Sequence, residues 1–512
     1  GGPFEPLRCA RTVDEPQGEF WMSGETCGNS VRIMASAAHL HGRRITSAES
    51  FTTESAEGRW LVSPHWLRTI GDRYGWLDGC NSFIFHSYCH QPFTNVVPGL
   101  SLGRHGSQFN VNTTWWKDAG AWRDYVRRGQ ALLQFGRPRA EVLVVGREAP
   151  SGLLAAGFNH DLCGAGDLMT LEARPDGVGQ PGLPSYQMIV VTPFERPRLT
   201  PESQAKLKAL ADAGVRVDYG NAADAVRTRG LRPPFSAPGG ALRAIRREGE
   251  GDETIWFVVN VTTNAFAGEA TFLAKAGTRP EFFDAKTGKI TPTAFVPVGA
   301  DRFSVKLALP PEGSAFVVFT KDASAVAERA TVKRTPTDVS RGWTISSFSG
   351  LNPPKAPLVL DRLADWSQSD DLKLRYFSGR AVYEKTVDVE EGLENVTLDL
   401  GEVREIANVS VNGRFVACLW ERPYQVELPR EARGKVRLRV EVVNLLPNRL
   451  IGDAIARRDG VREEKSGAWP KWVIENKPDS GTGIFTWSNY QEAWSATDRP
   501  LPSGLLGPVL LY

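Results

Sequence analysis

The chain has 512 residues, 41% of them hydrophobic and 23% charged, with a formal net charge of +2. That length predicts several domains of about 100–200 residues each, and the composition is that of a globular chain able to bury several cores. The near balance of charge leaves no footprint for nucleic acid or an anionic membrane, no apolar run approaches the ~20 residues that span a bilayer, and six cysteines without CxxC spacing argue against a zinc site or a dense disulfide framework.

Residues 30–42 (SVRIMASAAHLHG) predict a helix with an Ala-rich face and 43–49 (RRITSAE) a short strand. A helix follows over 64–78 with Pro64 in its first turn, then a strand over 81–87 (NSFIFHS), a Gly/Pro/Asn/Thr-rich loop from 88 to 120, and a helix over 121–136. This alternation indicates βα units on a parallel sheet. About three units fit before residue 140, whereas a (β/α)8 barrel needs eight. The chain is therefore expected to be the C-terminal half of a longer protein, with the earlier barrel strands upstream of Gly1.

Residues 141–220 change character. EVLVVG, YQMIVVT and VRVDYG read as apolar strands, and 200–214 as a helix with Thr200 as N-cap, Pro201 at its first position and Gly214 after its end. No phosphate-cradling GxGxxG follows the first strand, so no nucleotide is indicated. A Pro/Gly/Arg-rich linker is expected over 221–238, a β-sandwich over 239–321, a polar linker over 322–342 and a second β-rich module over 343–512, in which Asn412-Gly413 signals a hairpin turn. The fold class is thus multidomain α/β plus β: 1–140 as the C-terminal part of a (β/α)8 barrel, 141–230 as a doubly wound α/β domain, and then the two β modules.

Chemistry concentrates near the front. All seven histidines precede residue 161 and seven of the fifteen tryptophans precede residue 123. Polar clusters fall where barrel strands would end at their C-terminal face, the place where barrel active sites are built: Gln17-Gly18-Glu19-Phe20-Trp21, Ala48-Glu49-Ser50-Phe51, and Phe85 to Phe93. Glycoside cleavage needs one carboxylic acid and one carboxylate base or nucleophile, which makes Glu19 and Glu49 the candidates. Trp21, Phe51, Tyr88, Trp115 and Trp116 could offer apolar faces to a sugar ring. Each has a plainer reading: a salt bridge for either Glu, a core position for either Trp. His86 and His90 follow a strand rather than lying on a helix, so their spacing favours hydrogen bonding to a sugar over zinc.

The run PQGEFW, MASAAHLHGRRITSAESFT, GCNSFIFHSYCHQPF and PGLSLGRHGSQFNVNTTWW resembles glycoside hydrolase family 106, the α-L-rhamnosidases. Residues 141–161 resemble the start of that family's flavodoxin-like domain, with an Asn/Asp-bearing loop at Asn159-His160-Asp161. The stretch from YFSGRAVYEKTVDV to LPSGLLGPV resembles the galactose-binding-like jelly roll at its C-terminus. The resemblance implies an inverting α-L-rhamnosidase acting on plant or microbial glycans, periplasmic or secreted, with Glu19 as the general base. It places the general acid in an Asp-Ser-x-Glu-type segment upstream, which this sequence lacks. Glu49, His86, His90, Trp21, Trp115, Trp116, Asn159 and Asp161 map onto sugar-binding positions. No organic cofactor is implied. A calcium ion near the sugar is, although no Asp-x-Asp loop of calcium-binding type is visible. Partners are a carbohydrate substrate and the upstream half of the same protein. Two alternatives stay open: a retaining β-galactosidase-type enzyme using Glu19 and Glu49, and an inactive carbohydrate-binding fragment.

Overall fold

The computed structural model describes residues 5–148, 150, 152–323, 335–393, 395–458, 471–477, 484–490 and 493–512. Most of the expected linker 322–342 lies outside the described residues. The chain forms two compact units: residues 1–50, 69–84 and 124–329 make the first, and 51–68, 85–123 and 330–512 the second. The stretch 1–140, read from sequence as one piece, therefore contributes to both.

In the first unit, β1 (Gln17–Trp21) leads through α1 (Ser30–Leu40) to β2 (Ser47–Thr52). The helix α2 (Pro64–Ile70), whose first five residues belong to the second unit, runs on into a π-helical turn at Gly71–Trp76 before β3 (Ser82–Phe85). The strands form one sheet in the order β1–β2–β3. The Ser47 N–H donates to the Pro16 carbonyl and the Asn81 N–H to that of Thr46. The three strands thus start side by side and run parallel, as helical crossovers require. Behind them, α3 (Ala119–Gln134) carries Gly129 against Trp76, whose ring stacks on Phe83 at 5.6 Å and is fully buried.

After α3, β4 (Arg137–Arg139) precedes a second parallel sheet of β5 (Val142–Val145), β6 (His160–Cys163), β7 (Met188–Val191) and β8 (Val217–Tyr219). Its order is β8–β7–β5–β6, all parallel. Every residue of β5 and β7 is buried, which is the pattern of strands covered on both faces. One face packs on Ile33 and Ala37 of α1, the other on Leu207 and Leu210 of α4 (Pro201–Asp212). Thr200 caps α4 as expected, its side chain accepting the Ser203 N–H. Two expectations fail here. Asn159-His160-Asp161 is not a loop: His160 opens β6, because Val142 to Val145 offer a complete parallel ladder to residues 160–163. The expected linker at 221–238 contains α5 (Ala222–Thr228), nucleated by Asn221, whose side chain accepts the Ala223 and Asp224 N–H groups.

Two antiparallel sheets complete this unit. One contains β9 (Phe235–Ser236), β12 (Phe266–Leu273), β15 (Phe295–Pro297) and β16 (Arg302–Leu309). The other contains β10 (Leu242–Glu248), β11 (Thr254–Asn260), β13 (Arg279–Phe283), β14 (Ile290–Pro292) and β17 (Ser314–Thr320), with β4 paired to β10 at its edge. Trp256, Val258, Phe272, Val305 and Phe319 fill the core between them.

The second unit is built on a six-stranded antiparallel sheet of β18 (Arg341–Gly350), β19 (Leu358–Arg362), β20 (Gly379–Val389), β21 (Ile406–Val411), β22 (Arg414–Leu419) and β23 (Gly434–Val443). A four-stranded sheet including Thr397–Asp399 and Leu510–Leu511 faces a shared core with Trp343, Tyr383 and Leu398. Asn412 and Gly413 turn β21 into β22 with φ of 50° and 84°, the left-handed pair that a two-residue hairpin demands.

Candidate active site

Carrying the Pro16–Ser47 register along the two strands sets Glu19 beside Glu49. In-register neighbours point to one face of a sheet. The burial pattern agrees: Gly18, Phe20, Ala48 and Ser50 are buried, whereas Glu19 and Glu49 between them are only half-buried. A Cβ at Gly18 would strike Val31 of α1, so the face opposite the two carboxylates is the one that packs on the helix.

Glu19 is held on three sides. Its backbone N–H donates to Ser30 Oγ at 2.9 Å, which ties β1 to the first turn of α1. Trp21 Nε1 donates to its Oε1 at 2.5 Å. The Cys27 thiol also bonds its carboxylate; burial, then the charge of Glu19, pushes that thiol up to about 11, so it stays protonated and able to donate. Cys27, Gly28 and Asn29 all take left-handed φ values, 44°, 71° and 67°, which folds the β1–α1 loop back over the strand. Neither Cys27 nor Ser30 was singled out by the sequence. The only hint was their place at the start of α1, one turn beyond the strand end.

In the second unit the residues after β3 fold as irregular chain. His86 is half-buried and His90 exposed. Tyr88 is 71% exposed. Trp115 is 2% exposed and its Nε1 donates to the Val62 carbonyl at 2.9 Å, so its ring belongs to the core. Trp116 is half-buried, with the Arg123 guanidinium over its ring. Phe51, fully buried, packs on Phe85, Phe109 and Trp122 rather than presenting a face to a ligand.

Residues 3–225 match the family model described as alpha-L-rhamnosidase. This segment is similar to glycoside hydrolase family 106. A Formosa agariphila protein with a provisional beta-glucuronidase name is 24% identical over 99% of the chain and 66% of its own length. The solved structure of a rhamnosidase from Novosphingobium sp. PP1Y superposes with a TM-score of 0.82 at 24% identity, over 99% of this chain and 52% of that one. That likeness is one of fold. The chain thus spans about two thirds of the first relative's length and about half of the second's.

Within the segment that matches the family model the remaining expected positions lie apart from Glu19. Asp161 on β6 is 2% exposed; it contacts His39 Nδ1 at 2.8 Å and accepts the Tyr186 hydroxyl at 2.9 Å. Burial alone would raise its pKa, but the charge and hydrogen bond of His39, with Arg32 and Tyr186, outweigh it and hold the carboxyl below its ordinary range. Asn159 is 4% exposed. Ser30 and His39 stand nine positions apart on α1, roughly 14 Å of helix. The structure therefore attaches Glu19 and Asp161 to opposite ends of α1 and does not bring them together.

Proposed function

We propose that this chain is the C-terminal portion of an inverting α-L-rhamnosidase that releases terminal α-L-rhamnose from plant or microbial glycans or glycosides. In this reading β1, β2 and β3 are the closing strands of a (β/α)8 barrel. Residues 141–230 are its flavodoxin-like domain, which the strand order β8–β7–β5–β6 supports. Residues 239–321 are a β-sandwich and 343–512 a galactose-binding-like jelly roll. The other barrel strands and the general acid belong to the upstream half of the same protein. A glycan substrate fits a periplasmic or secreted setting, and no described helix is long and apolar enough to cross a membrane.

The observation that carries the reading is the setting of Glu19: half-buried, on the open face of a parallel strand, its carboxylate aimed by the Trp21 indole and the Cys27 thiol. A carboxylate so fixed can take a proton from water as that water attacks the anomeric carbon, while the upstream acid protonates the departing oxygen and the C1–O bond breaks with inversion. Within the first unit, Trp21 supplies a ring face to the sugar and Glu49 holds its hydroxyls. Asn159 and Asp161 steady the sheet behind α1. Among the described residues no three His, Cys, Asp or Glu side chains converge as a metal site.

The test is Glu19→Gln in the protein that includes its upstream half. Hydrolysis of an aryl α-L-rhamnoside should fall about 10²–10⁴-fold; a rate near wild type removes Glu19 from the base role. A retaining glycosidase is the second reading, favoured by the adjacency of Glu19 and Glu49 on neighbouring parallel strands, since retaining pairs bring their carboxyl groups to about 5–5.5 Å. Proton NMR of the first product decides: β-L-rhamnose supports inversion, α-L-rhamnose retention.

A further inference from the structure

A cavity of about 510 Å³ opens within the first unit where the C-terminal end of α1, the C-terminal end of α3 and the β10–β11 hairpin meet. It lies at the end of α1 away from Glu19. Its polar lining is dominated by guanidinium groups: Arg43 and Arg44 from the chain entering β2, Arg137 from β4 and Arg247 from β10. Arg43 has only a loose contact with Asp14, at 3.7 Å. Arg44, Arg137 and Arg247 form no ion pair with any described carboxylate. Arg247 Nε and Nη2 donate to the Phe135 and Gly136 carbonyls, at 2.7 and 2.9 Å, which caps α3 and fixes the guanidinium at the cavity wall. Burial, and then the charge of Arg44, brings Arg247 down to about 10.

The cavity also has carboxylates, and among the described residues none of them forms an ion pair with these guanidinium groups. Asp161, at its floor, is already engaged by His39 and Tyr186. Glu250 and Glu253 lie on the hairpin that Lys275 Nζ clasps through the Gly249 and Gly251 carbonyls, so a further cation sits beside them. The walls are apolar where Phe135, Leu183 and Pro184 contribute, and Phe135 is 42% exposed. Like charges gathered around a concave surface cost energy unless an anion joins them. Guanidinium groups recognise carboxylate, sulfate and phosphate by paired hydrogen bonds, and ~300–1,000 Å³ is the size of a small-molecule site.

We propose that this cavity is a binding site for a small organic oxyanion: a body of about one or two sugar rings whose carboxylate, sulfate or phosphate group sits between Arg44, Arg137 and Arg247 and whose apolar face lies on Phe135. The proposal is independent of the rhamnosidase reading, because binding needs neither the general base nor upstream residues.

The test uses the protein that includes its upstream half, at low ionic strength, in thermal-shift and calorimetric titration with glucuronate, glucose 6-sulfate, glucose 6-phosphate and neutral glucose, each to about 10 mM. At least one acidic probe should bind and raise Tm while glucose does not, and the tightest one identifies the head group. The double variant Arg44→Ala/Arg137→Ala should weaken it at least tenfold. Both side chains are exposed, so the fold should survive; a matched Arg8→Ala/Arg11→Ala variant should bind as the parent does. Binding by glucose equal to that of the acids, sodium chloride reproducing the shift at equal ionic strength, an unaltered double variant, or no binding by any probe would each overturn the proposal.

Discussion

His39 Nδ1 stands 2.8 Å from Asp161 Oδ1, joining the last turn of α1 to the edge strand of the β5–β8 sheet, and Tyr186 closes the carboxylate's other oxygen at 2.9 Å. A buried charge with both oxygens engaged is expensive to disrupt from one side. Asp161→Asn should destabilise the first unit by about 3 kcal/mol, read as a fall in the urea midpoint, and Tyr186→Phe by about 1 kcal/mol. Because the folded Asp161 pKa lies below its ordinary value, its contribution is present above about pH 4 and fades as pH falls further. Equal losses in the two variants would mean that the hydroxyl, not the charge pair, holds this junction.

A second pH effect has a different window. Burial, then the charge of Arg32, takes His160 down to about 3, and burial with Arg68 takes His65 in the other unit to about 4. Both rings stay neutral in the fold while the unfolded chain protonates them near pH 6.5. Stability is thus full above pH 6.5 and is lost as pH falls, down to about 3 for His160 and 4 for His65, at up to about 1.4 kcal/mol per pH unit for each ring. Unfolding curves at pH 7.5 and 5.0 should show the drop, and His160→Gln should flatten it for the first unit. A slope unchanged in that variant would assign the acid sensitivity elsewhere.

Gly129 tests packing against propensity. It lies inside α3, where alanine would gain about 1 kcal/mol as a helix former. A Cβ there would fall 2.2 Å from Trp76 Cη2. The indole has no room to retreat, being ringed by Phe83, Tyr125, Phe257 and Phe316. Overpacking costs about 1–3 kcal/mol, so Gly129→Ala should lower Tm despite the better helix residue. A raised Tm would show that the ring moves freely.

These relationships mark what sequence could and could not carry. Thr200 capping α4 and Asn412-Gly413 turning a hairpin are local events, decided within four residues, and they were legible. That Glu19 and Glu49 stand side by side was not: it follows from the parallel register of β1 and β2, which the Ser47–Pro16 hydrogen bond sets. β6 was not legible: its first two residues are polar, and it is a strand only because β5 lies beside it. Trp115 and Trp116 are adjacent and alike, and only the Val62 carbonyl decides which ring turns inward. The His39–Asp161 bond spans 122 positions, and no pattern in either neighbourhood points to the other. Nor did anything in 1–140 announce that its residues would divide between two units.

Asp118 offers the last test, within the second unit. It follows Trp116 by two residues and is clamped by Arg380 Nη2 at 2.6 Å and Asn408 Nδ2 at 2.8 Å, while Arg380 Nη1 reaches Glu441 at 2.9 Å. The segment bearing both tryptophans is thereby fastened to β20 and β21. Asp118→Ala leaves Arg380, largely buried, with one carboxylate instead of two and strips Asn408 of its acceptor. It should cost the second unit about 3 kcal/mol. Glu441→Gln, at the more exposed end of the same network, should cost about 1 kcal/mol or less. If Trp116 stacks on the sugar, the longer enzyme carrying Asp118→Ala should also show a KM raised several-fold with kcat less affected, since a displaced ring weakens binding before it touches the chemistry. A variant as stable as the parent with an unchanged KM would show that the segment is held by the Trp115 ring and the Val62 carbonyl instead.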